Sequence, residues 1–240
     1  MKILVVNDDS IHAPGIAMLA KVAAKFGEVW VVAPARQCSA LSQKLTIREP
    51  LAIKQVENFP VQVKAAWQVD GTPVDCVKVA LEHILKEKPD YVLSGINNGY
   101  NVGFDIAYSG TLGAAFEAVR NGIPAMAFSA ASDAHLQAAE PYLTDVMEQL
   151  LGKPLEAGAV WNVNFPALNS RLLMGMLWDR TAATVSMFSE HYEESILPDG
   201  SKVLNIVGIP TPDEKIPAGS DAEAVRKGYI SIGKVRGFGY

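Results

Sequence analysis

The sequence of 240 residues predicts an α/β fold with a mostly parallel sheet and helices on both of its faces. Short apolar runs rich in β-branched residues alternate with amphipathic helical patterns, and the runs are apolar throughout, as in strands buried on both faces. In the last third of the chain, period-two patterns and a turn sequence predict a β-ribbon. Hydrophobic residues make up 49% and charged residues 20%, which is a globular composition.

The elements of the core follow from these patterns. Residues 3–6 predict the first strand, Pro14 suits the first residue of the helix after it, and Gly27 ends that helix. Residues 29–32 predict the second strand, and Thr72 suits the cap of a later helix. The remaining strands are predicted at 51–56, 61–69, 91–93, 125–128 and 160–163. The remaining helices are indicated by apolar positions within 74–85, 112–119 and 143–150.

Other stretches lack the helical period. Residues 94–109 are rich in Gly and Asn and predict a long loop after the third buried strand. Residues 171–210 predict the β-ribbon, with the turn sequence Pro-Asp-Gly-Ser at 198–201 between its two arms. The proline-rich residues 210–219 predict a loop.

Composition excludes several classes of function. The net charge is −5 and no basic run is present, so we expect no nucleic acid polymer as a partner. No segment has membrane-spanning length and the N-terminus is no signal peptide, so we expect a cytoplasmic protein without a membrane partner. Cys38 and Cys76 have no CxxC spacing, which disfavours a zinc site. An anionic substrate would therefore need a metal ion or a helix N-terminus.

The strand ends supply candidates for both, because ligands of open parallel sheets bind beyond the carboxyl ends of the strands. Asp8 and Asp9 follow the first strand, Ser39 lies beyond the second, and Asn97 follows the third. Two adjacent carboxylates repel unless a cation joins them, and Mg²⁺, Mn²⁺ and Ca²⁺ favour such oxygen donors. The alternative for the pair is that one aspartate caps a turn and the other faces solvent.

A second candidate is the sequence Ser109-Gly110-Thr111, directly ahead of an amphipathic helix. A helix N-terminus presents free N–H groups and a positive dipole end, which suit a phosphate group. The alternative is an ordinary Ser/Thr cap. Dinucleotide-binding, P-loop and serine-hydrolase motifs are absent from the sequence, so these classes lose support.

Several stretches together resemble one known family. These stretches are VVNDDSIHAPGI at 5–16, VVAPARQCSALSQKLT at 31–46, GTPVDCVKVAL at 71–81, VLSGINNGYNVGFDIAYSGTLGAAFEA at 92–118, and WNVNFP at 161–166. In order and spacing they resemble the SurE family of stationary-phase survival proteins, which act as nucleoside monophosphate phosphatases. The segment SDAEAVRKGYISI at 220–232 is similar to that family as well.

The resemblance implies a three-layer α/β/α Rossmann-like catalytic core at 1–168. It also implies a β-ribbon arm and C-terminal oligomerisation segment at 169–240, which packs back on the core. The implied assembly is a homodimer or homotetramer. The implied reaction is hydrolysis of nucleoside 5′-monophosphates, with 3′-nucleotides and short polyphosphate as further substrates in some members. One divalent cation per subunit, Mg²⁺ or Mn²⁺, is implied as the cofactor.

The resemblance also implies roles for individual residues. The implied metal ligands are Asp8, Asp9, Ser39 and Asn97, of which Asp8 and Asp9 are the expected catalytic residues. The expected phosphate and substrate contacts are Asn7, Ser10, Asn101, Ser109, Gly110 and Thr111.

Three positions depart from the family pattern. Ser10 and Ala40 stand where Gly is usual, and Tyr100 stands where Pro often precedes Asn101. These departures keep open the alternative of a metal- and nucleotide-binding protein with weak or no turnover. A second alternative is a phospho-receiver-like regulatory protein, because receivers also place an acidic pair after the first strand. A receiver would need a phospho-accepting aspartate at a central strand end, and Asn97 stands at this one.

Overall fold

A computed structural model of the chain describes residues 1–167 and 173–237. The strands in chain order are β1 (Lys2–Val6), β2 (Glu28–Pro34), β3 (Ile53–Gln55), β4 (Ala65–Val69), β5 (Tyr91–Asn98), β6 (Ala125–Ala130), β7 (Ala159–Phe165), β8 (Met176–Arg180), β9 (Phe188–Ile196), β10 (Lys202–Pro210) and β11 (Ile230–Arg236). The α-helices are α1 (Pro14–Ala23), α2 (Pro73–Val79), α3 (Gly110–Arg120), α4 (Leu136–Leu150) and α5 (Asp221–Arg226).

The main sheet has nine strands in the order β3-β4-β2-β1-β5-β6-β7-β11-β8. The run from β4 to β7 is parallel throughout, whereas β3 and β11 pair antiparallel to β4 and β7. β1 therefore lies between β2 and β5, and the carboxyl ends of these three strands share one edge. The predicted α/β class and mostly parallel sheet are confirmed.

Two hydrophobic cores lie on the two faces of this sheet, which makes the molecule three-layered. Ile3 and Val5 of β1 pack into the core on the α1 and α4 face, with Leu19 and Met147 among its buried members. Leu4 and Val6 pack into the opposite core, beneath α2 and α3. Alternate residues of one apolar strand thus serve both faces, which is why β1 shows no polar alternation.

The predicted strands and helices of the core are present, with shifted bounds. The strand expected at 61–69 begins only at Ala65, the one expected at 51–56 is confined to Ile53–Gln55, and α1 ends at Ala23 before the expected stop at Gly27. The helix expected through 74–85 consists of α2 followed by a π-helical turn at Ala80–Ile84.

The prediction of one long loop at 94–109 was wrong. β5 continues to Asn98, because pairing with β6 resumes after a register shift between Ser94 and Asn97, and a short 3-10 helix then spans Gly103–Tyr108. The Gly and Asn content marked an irregular strand end followed by a tight helical turn, which composition alone does not separate from a loop.

The prediction of ribbon throughout 171–210 was also wrong in part. Met176–Arg180 is an edge strand of the main sheet, parallel to β11, and only β9 and β10 form the two-stranded ribbon. The partner of β8 lies about fifty residues later in the chain, so no local pattern reveals the pairing. The turn at 198–201 is confirmed, since Leu197 and Ser201 close it with a backbone hydrogen bond of 2.9 Å.

The C-terminal segment contributes two elements without a sequence-based prediction, α5 and β11. The predicted loop at 210–219 contains no strand or α-helix beyond the end of β10 and forms one 3-10 turn at Asp213–Lys215. The predicted domain boundary at 168/169 lies outside the described residues. Within the described ranges, no helix is long and apolar enough to cross a membrane.

One buried carboxylate ties the irregular stretch 35–52 to the core. Asp75, in the first turn of α2, is fully buried and accepts hydrogen bonds from the backbone N–H of Thr46 at 3.0 Å and of Thr72 at 2.8 Å. The Thr46 hydroxyl donates a third bond at 2.7 Å, and the Thr72 hydroxyl caps the helix by accepting from the Asp75 N–H at 3.2 Å. The segment that carries Ser39 is thereby anchored at its far end.

Asp75→Ala is expected to lower the free energy of unfolding by about 2–4 kcal/mol, because it leaves buried donors without an acceptor. Urea denaturation followed by circular dichroism measures this change. The matched control is Asp145→Ala on the exposed side of α4, which should change stability by less than about 0.5 kcal/mol. Equal stability of the two variants would contradict the anchoring role of Asp75.

Candidate active site

A cavity of about 740 Å³ opens at the edge of the sheet where β1, β2 and β5 end. Its volume lies within the usual range for small-molecule sites. The predicted residues in its lining are Asp8, Ser39, Asn97, Asn101 and Ser109. The structure therefore brings together side chains that the sequence separates by up to a hundred positions, as expected for strand ends of a parallel sheet.

Asp8 is the most constrained residue of the site. Its side chain is almost completely buried, and the hydroxyl of Thr111 donates a hydrogen bond of 2.7 Å to its Oδ1. Burial raises the pKa of the Asp8 carboxyl to about 6; the Thr111 bond opposes this effect and the charge of Asp9 adds to it. Its carbonyl accepts from the Cys38 N–H at 2.7 Å, which joins the β1 end to the segment bearing Ser39.

Asp9 turns toward the neighbouring strand end rather than into the lining. Its Oδ2 accepts the backbone N–H of Asn98 at 2.8 Å, and its Oδ1 lies 3.4 Å from the Gln37 amide nitrogen. The same nitrogen donates to the Ser39 hydroxyl at 3.0 Å. Gln37, which has no role in the sequence analysis, therefore links Asp9 and Ser39.

The N-terminus of α3 faces the same cavity. Ser109 caps the helix, since its hydroxyl accepts the Leu112 N–H at 3.1 Å, and it also lines the cavity. Gly110 lies tightly against Asp8, because a Cβ there would be 3.0 Å from the Cβ of Asp8 and would require it to shift. The first turn of the helix thus packs directly on the aspartate, and the capping and phosphate-binding interpretations of Ser109 are compatible.

Asn101 is positioned by asparagines of β7. Its backbone N–H donates to Asn164 Oδ1 at 2.8 Å, and its carbonyl accepts from Asn162 Nδ2 at 2.8 Å and from Asn164 Nδ2 at 3.1 Å. Its own amide donates to the Ser129 hydroxyl at 2.8 Å. The sequence WNVNFP shows two asparagines at alternate positions of a buried strand, and their task is to hold the Asn101 loop.

Asn7 and Ser10 shape the turn after β1. The fully buried Asn7 donates from Nδ2 to the Ser10 carbonyl at 2.8 Å, and its Oδ1 has no hydrogen-bond partner within the described residues. Ser10 adopts φ +93° and Ala40 adopts φ +56°, the left-handed region that favours glycine. Both positions at which the resemblance expects Gly therefore have a backbone conformation that suits it.

The ribbon supplies one wall of the cavity, which sequence reasoning missed. Phe188, Glu190 and Tyr192 of β9 line it together with Ile206 of β10. The three β9 residues alternate along the strand and therefore share one face. This alternation was visible in the sequence, but nothing in it showed that this face turns toward the strand ends.

The donors at the strand ends fit a hard divalent cation. Asp8, Asp9, Ser39 and Asn97 offer oxygen atoms only, and the Asn97 Nδ2 is engaged by the Gly99 carbonyl at 2.7 Å. The unpaired Asn7 Oδ1 lies in the adjacent turn. In the described parts of the chain, no group of three or more His, Cys, Asp or Glu residues could hold a metal.

Comparison with known proteins gives a consistent result. The family model of the survival protein SurE matches residues 3–190. The 5′-nucleotidase SurE of Synechococcus sp. is 40% identical over 237 residues, covering 97% of this chain and 90% of that relative. The 5′/3′-nucleotidase SurE of Cronobacter sakazakii is 37% identical over 235 residues, covering 97% and 88%. The crystal structure of the SurE protein from Aquifex aeolicus has a TM-score of 0.81 at 33% identity, covering 98% of this chain and 93% of that one.

Ser10→Gly is expected to raise the free energy of unfolding by about 1 kcal/mol, because relief of the strained φ outweighs the extra freedom of glycine in the unfolded chain. Thermal or urea unfolding measures the gain. The matched control is Ser10→Ala, which keeps a Cβ at φ +93° and should bring no gain. A less stable glycine variant would contradict the strain at this position.

Proposed function

Because this chain belongs to the SurE family, we propose that it is a divalent-metal-dependent phosphatase that hydrolyses nucleoside 5′-monophosphates to nucleoside and phosphate. One observation carries the proposal: the Asp8 carboxylate and the N-terminus of α3 are joined by the 2.7 Å hydrogen bond from Thr111. A candidate cation ligand and a candidate phosphate site therefore lie side by side. Relatives 40% and 41% identical to the chain carry the name 5′-nucleotidase, which supports the enzyme class.

We assign one cation per subunit, Mg²⁺ or Mn²⁺, to Asp8, Asp9, Ser39 and Asn97. When bound, such an ion polarises a phosphate oxygen and lowers the pKa of a water molecule. The two adjacent carboxylates favour this assignment, because the buried Asp8 is otherwise held near Asp9 without a compensating charge.

The chain itself binds and orients the phosphate in this proposal. The free N–H groups of the first turn of α3 and its positive dipole end stabilise the negative charge on the phosphoryl oxygens during transfer. Ser109 and Asn101 lie in the cavity lining beside this turn. The carboxylate pair Asp8 and Asp9 accepts the proton of the attacking water.

The name of one relative supports a wider substrate range. The Cronobacter sakazakii protein is named a 5′/3′-nucleotidase. We therefore include 3′-nucleotides in the proposed range, with short polyphosphate as a further substrate to test. A phospho-receiver role has less support, because β5 ends in Asn97 and Asn98 and offers no phospho-accepting aspartate.

We further propose that the chain assembles as a homodimer or homotetramer through its ribbon. Every residue of β9 is exposed, although a two-stranded hairpin is only marginally stable in water by itself. The exposed apolar side chains of the ribbon that lie outside the cavity lining are Ile196, Leu197, Val203, Leu204 and Ile209. A second copy that covers this surface would remove it from water.

Exhaustive chelation is expected to lower phosphatase activity on nucleoside 5′-monophosphates by at least about 100-fold, and added Mg²⁺ or Mn²⁺ should restore it. Release of inorganic phosphate measures the rate. Full activity after chelation would contradict the metal assignment, whereas the absence of hydrolysis with either ion would contradict the phosphatase itself.

The site variant for this assay is Asp8→Asn, which keeps the shape of the side chain and removes its charge. It should lower kcat/KM by at least about 100-fold. The matched control is Asp145→Asn on the exposed side of α4, which should retain the wild-type rate.

The assembly is expected to weaken when Ile196 and Leu204, near the tip of the ribbon, are both replaced by Ser. Both side chains are exposed, so the loss should come from contacts between subunits rather than from the core. Analytical ultracentrifugation should give a dimer or tetramer for the wild type and a smaller species for the variant. The control is Asn205→Ser on the same hairpin, and an unchanged mass for the double variant would contradict the ribbon interface.

A further inference from the structure

The ribbon wall of the cavity combines aromatic rings with a carboxylate. Phe188, Glu190 and Tyr192 share one face of β9, and Tyr192 pairs with Ile206 across the ribbon. Tyr108, which is 61% exposed, lines the cavity from the side of the core. The cavity is therefore polar at the strand ends and aromatic at the ribbon.

Gly208 keeps the ribbon surface flat beside Glu190. It pairs directly with Glu190 in the β9–β10 register, and a Cβ at Gly208 would lie 3.4 Å from the Phe188 ring. The Phe188 ring thus lies close to the β10 backbone at a position that carries no side chain. A flat apolar surface next to a carboxylate suits a planar ring that carries N–H donors at its edge.

The Glu190 carboxylate has no hydrogen-bond or ion-pair partner within residues 1–167 and 173–237, whereas Glu194 on the same face of β9 pairs with Lys202. Asp105, the other carboxylate on this side of the cavity, is occupied by the Met187 N–H at 2.9 Å. An unpaired negative charge in a cavity for a phosphate monoester opposes binding of the phosphate. It favours binding only where the ligand presents donors to it.

We propose that Glu190 determines the base preference of this enzyme by accepting hydrogen bonds from N1–H and the 2-amino group of guanine, with the ring lying against the aromatic wall. This inference rests on the proposed nucleotidase function and adds the substrate class, guanosine monophosphate. In the proposed function the phosphate would lie at the strand ends, where Ser109 at the N-terminus of α3 lines the cavity.

The hydrogen-bonding edges of the other bases fit this carboxylate less well. Guanine presents two adjacent donors, which match the two oxygens of a carboxylate. Hypoxanthine retains only N1–H of these two. Adenine and cytosine place an acceptor nitrogen beside their amino group, and uracil places its single N–H between two carbonyl oxygens, so each also presents a lone pair to Glu190.

The test is the ratio of kcat/KM values for a panel of nucleoside 5′-monophosphates. In the wild type we expect kcat/KM for GMP to exceed that for AMP by about tenfold. This is the lower end of what hydrogen bonds to a charged group contribute, because Glu190 is exposed to solvent. IMP should lie between them. Equal values for GMP, IMP and AMP would overturn the proposal.

Glu190→Gln should lower the GMP/AMP ratio of kcat/KM by about tenfold. The amide NH2 is a donor and would face a second donor, N1–H or the 2-amino group of guanine, whereas it can pair with the acceptor and donor at the adenine edge. The change should appear in KM for GMP, with kcat little altered. The matched control is Glu193→Gln, on the opposite face of β9, which should leave the ratio unchanged.

The remaining outcomes separate this inference from the proposed function. An equal rise of kcat/KM for all bases in Glu190→Gln would indicate simple charge repulsion and overturn base selection. Because the amide can pair with the adenine edge, kcat/KM for AMP should not fall in Glu190→Gln, and an equal fall for GMP and AMP would overturn base selection. If the wild type with Mg²⁺ or Mn²⁺ hydrolysed none of the nucleotides, this result would contradict the proposed phosphatase function itself, and with it the base preference that rests on that function.

Discussion

The hydrogen bond from the Thr111 hydroxyl to the buried Asp8 carboxylate is the contact on which the site depends. It joins the end of the central strand β1 to the first turn of α3. Gly110 suits this contact, because a Cβ there would lie only 3.0 Å from the Cβ of Asp8. Since burial raises the pKa of Asp8 to about 6, the carboxylate sits where a cation would compensate its charge.

The surrounding framework holds the two partners of this contact in place. β1 is covered by hydrophobic cores on both faces, and its neighbours β2 and β5 bring further oxygen donors to the same edge. The Cys38 N–H bonds to the Asp8 carbonyl, and the Asn98 N–H bonds to the Asp9 carboxylate. Each loop is therefore tied to the aspartate pair by a backbone group, which a side-chain substitution elsewhere would leave intact.

The ribbon has a different relation to the core. It adds aromatic residues and Glu190 to the cavity wall, yet its own residues are exposed almost throughout. In the proposed function the same hairpin takes part in assembly and in recognition of the base. Subunit contacts that order the hairpin would then also order one wall of the site, so that assembly and substrate affinity are coupled.

By itself, the sequence determined the α/β class, the buried strands and the candidate donors Asp8, Asp9, Ser39 and Asn97. Local patterns suffice for these, because two-sided burial produces continuous apolar runs and parallel strands end at one edge. The helix N-terminus at Ser109, Gly110 and Thr111 was a candidate phosphate site from the sequence as well, and the family resemblance added Asn101 and the expectation of glycine at positions 10 and 40.

Only the tertiary structure decided the contacts between distant segments. Examples are the pairing of β8 with β11, the hold of Asn162 and Asn164 on the Asn101 loop, and the ribbon wall around Glu190. Such contacts join residues tens of positions apart through hydrogen bonds and packing. They produce no helical or strand periodicity in the sequence from which they could be predicted. Their existence depends on which strands become neighbours, and that is a property of the assembled sheet.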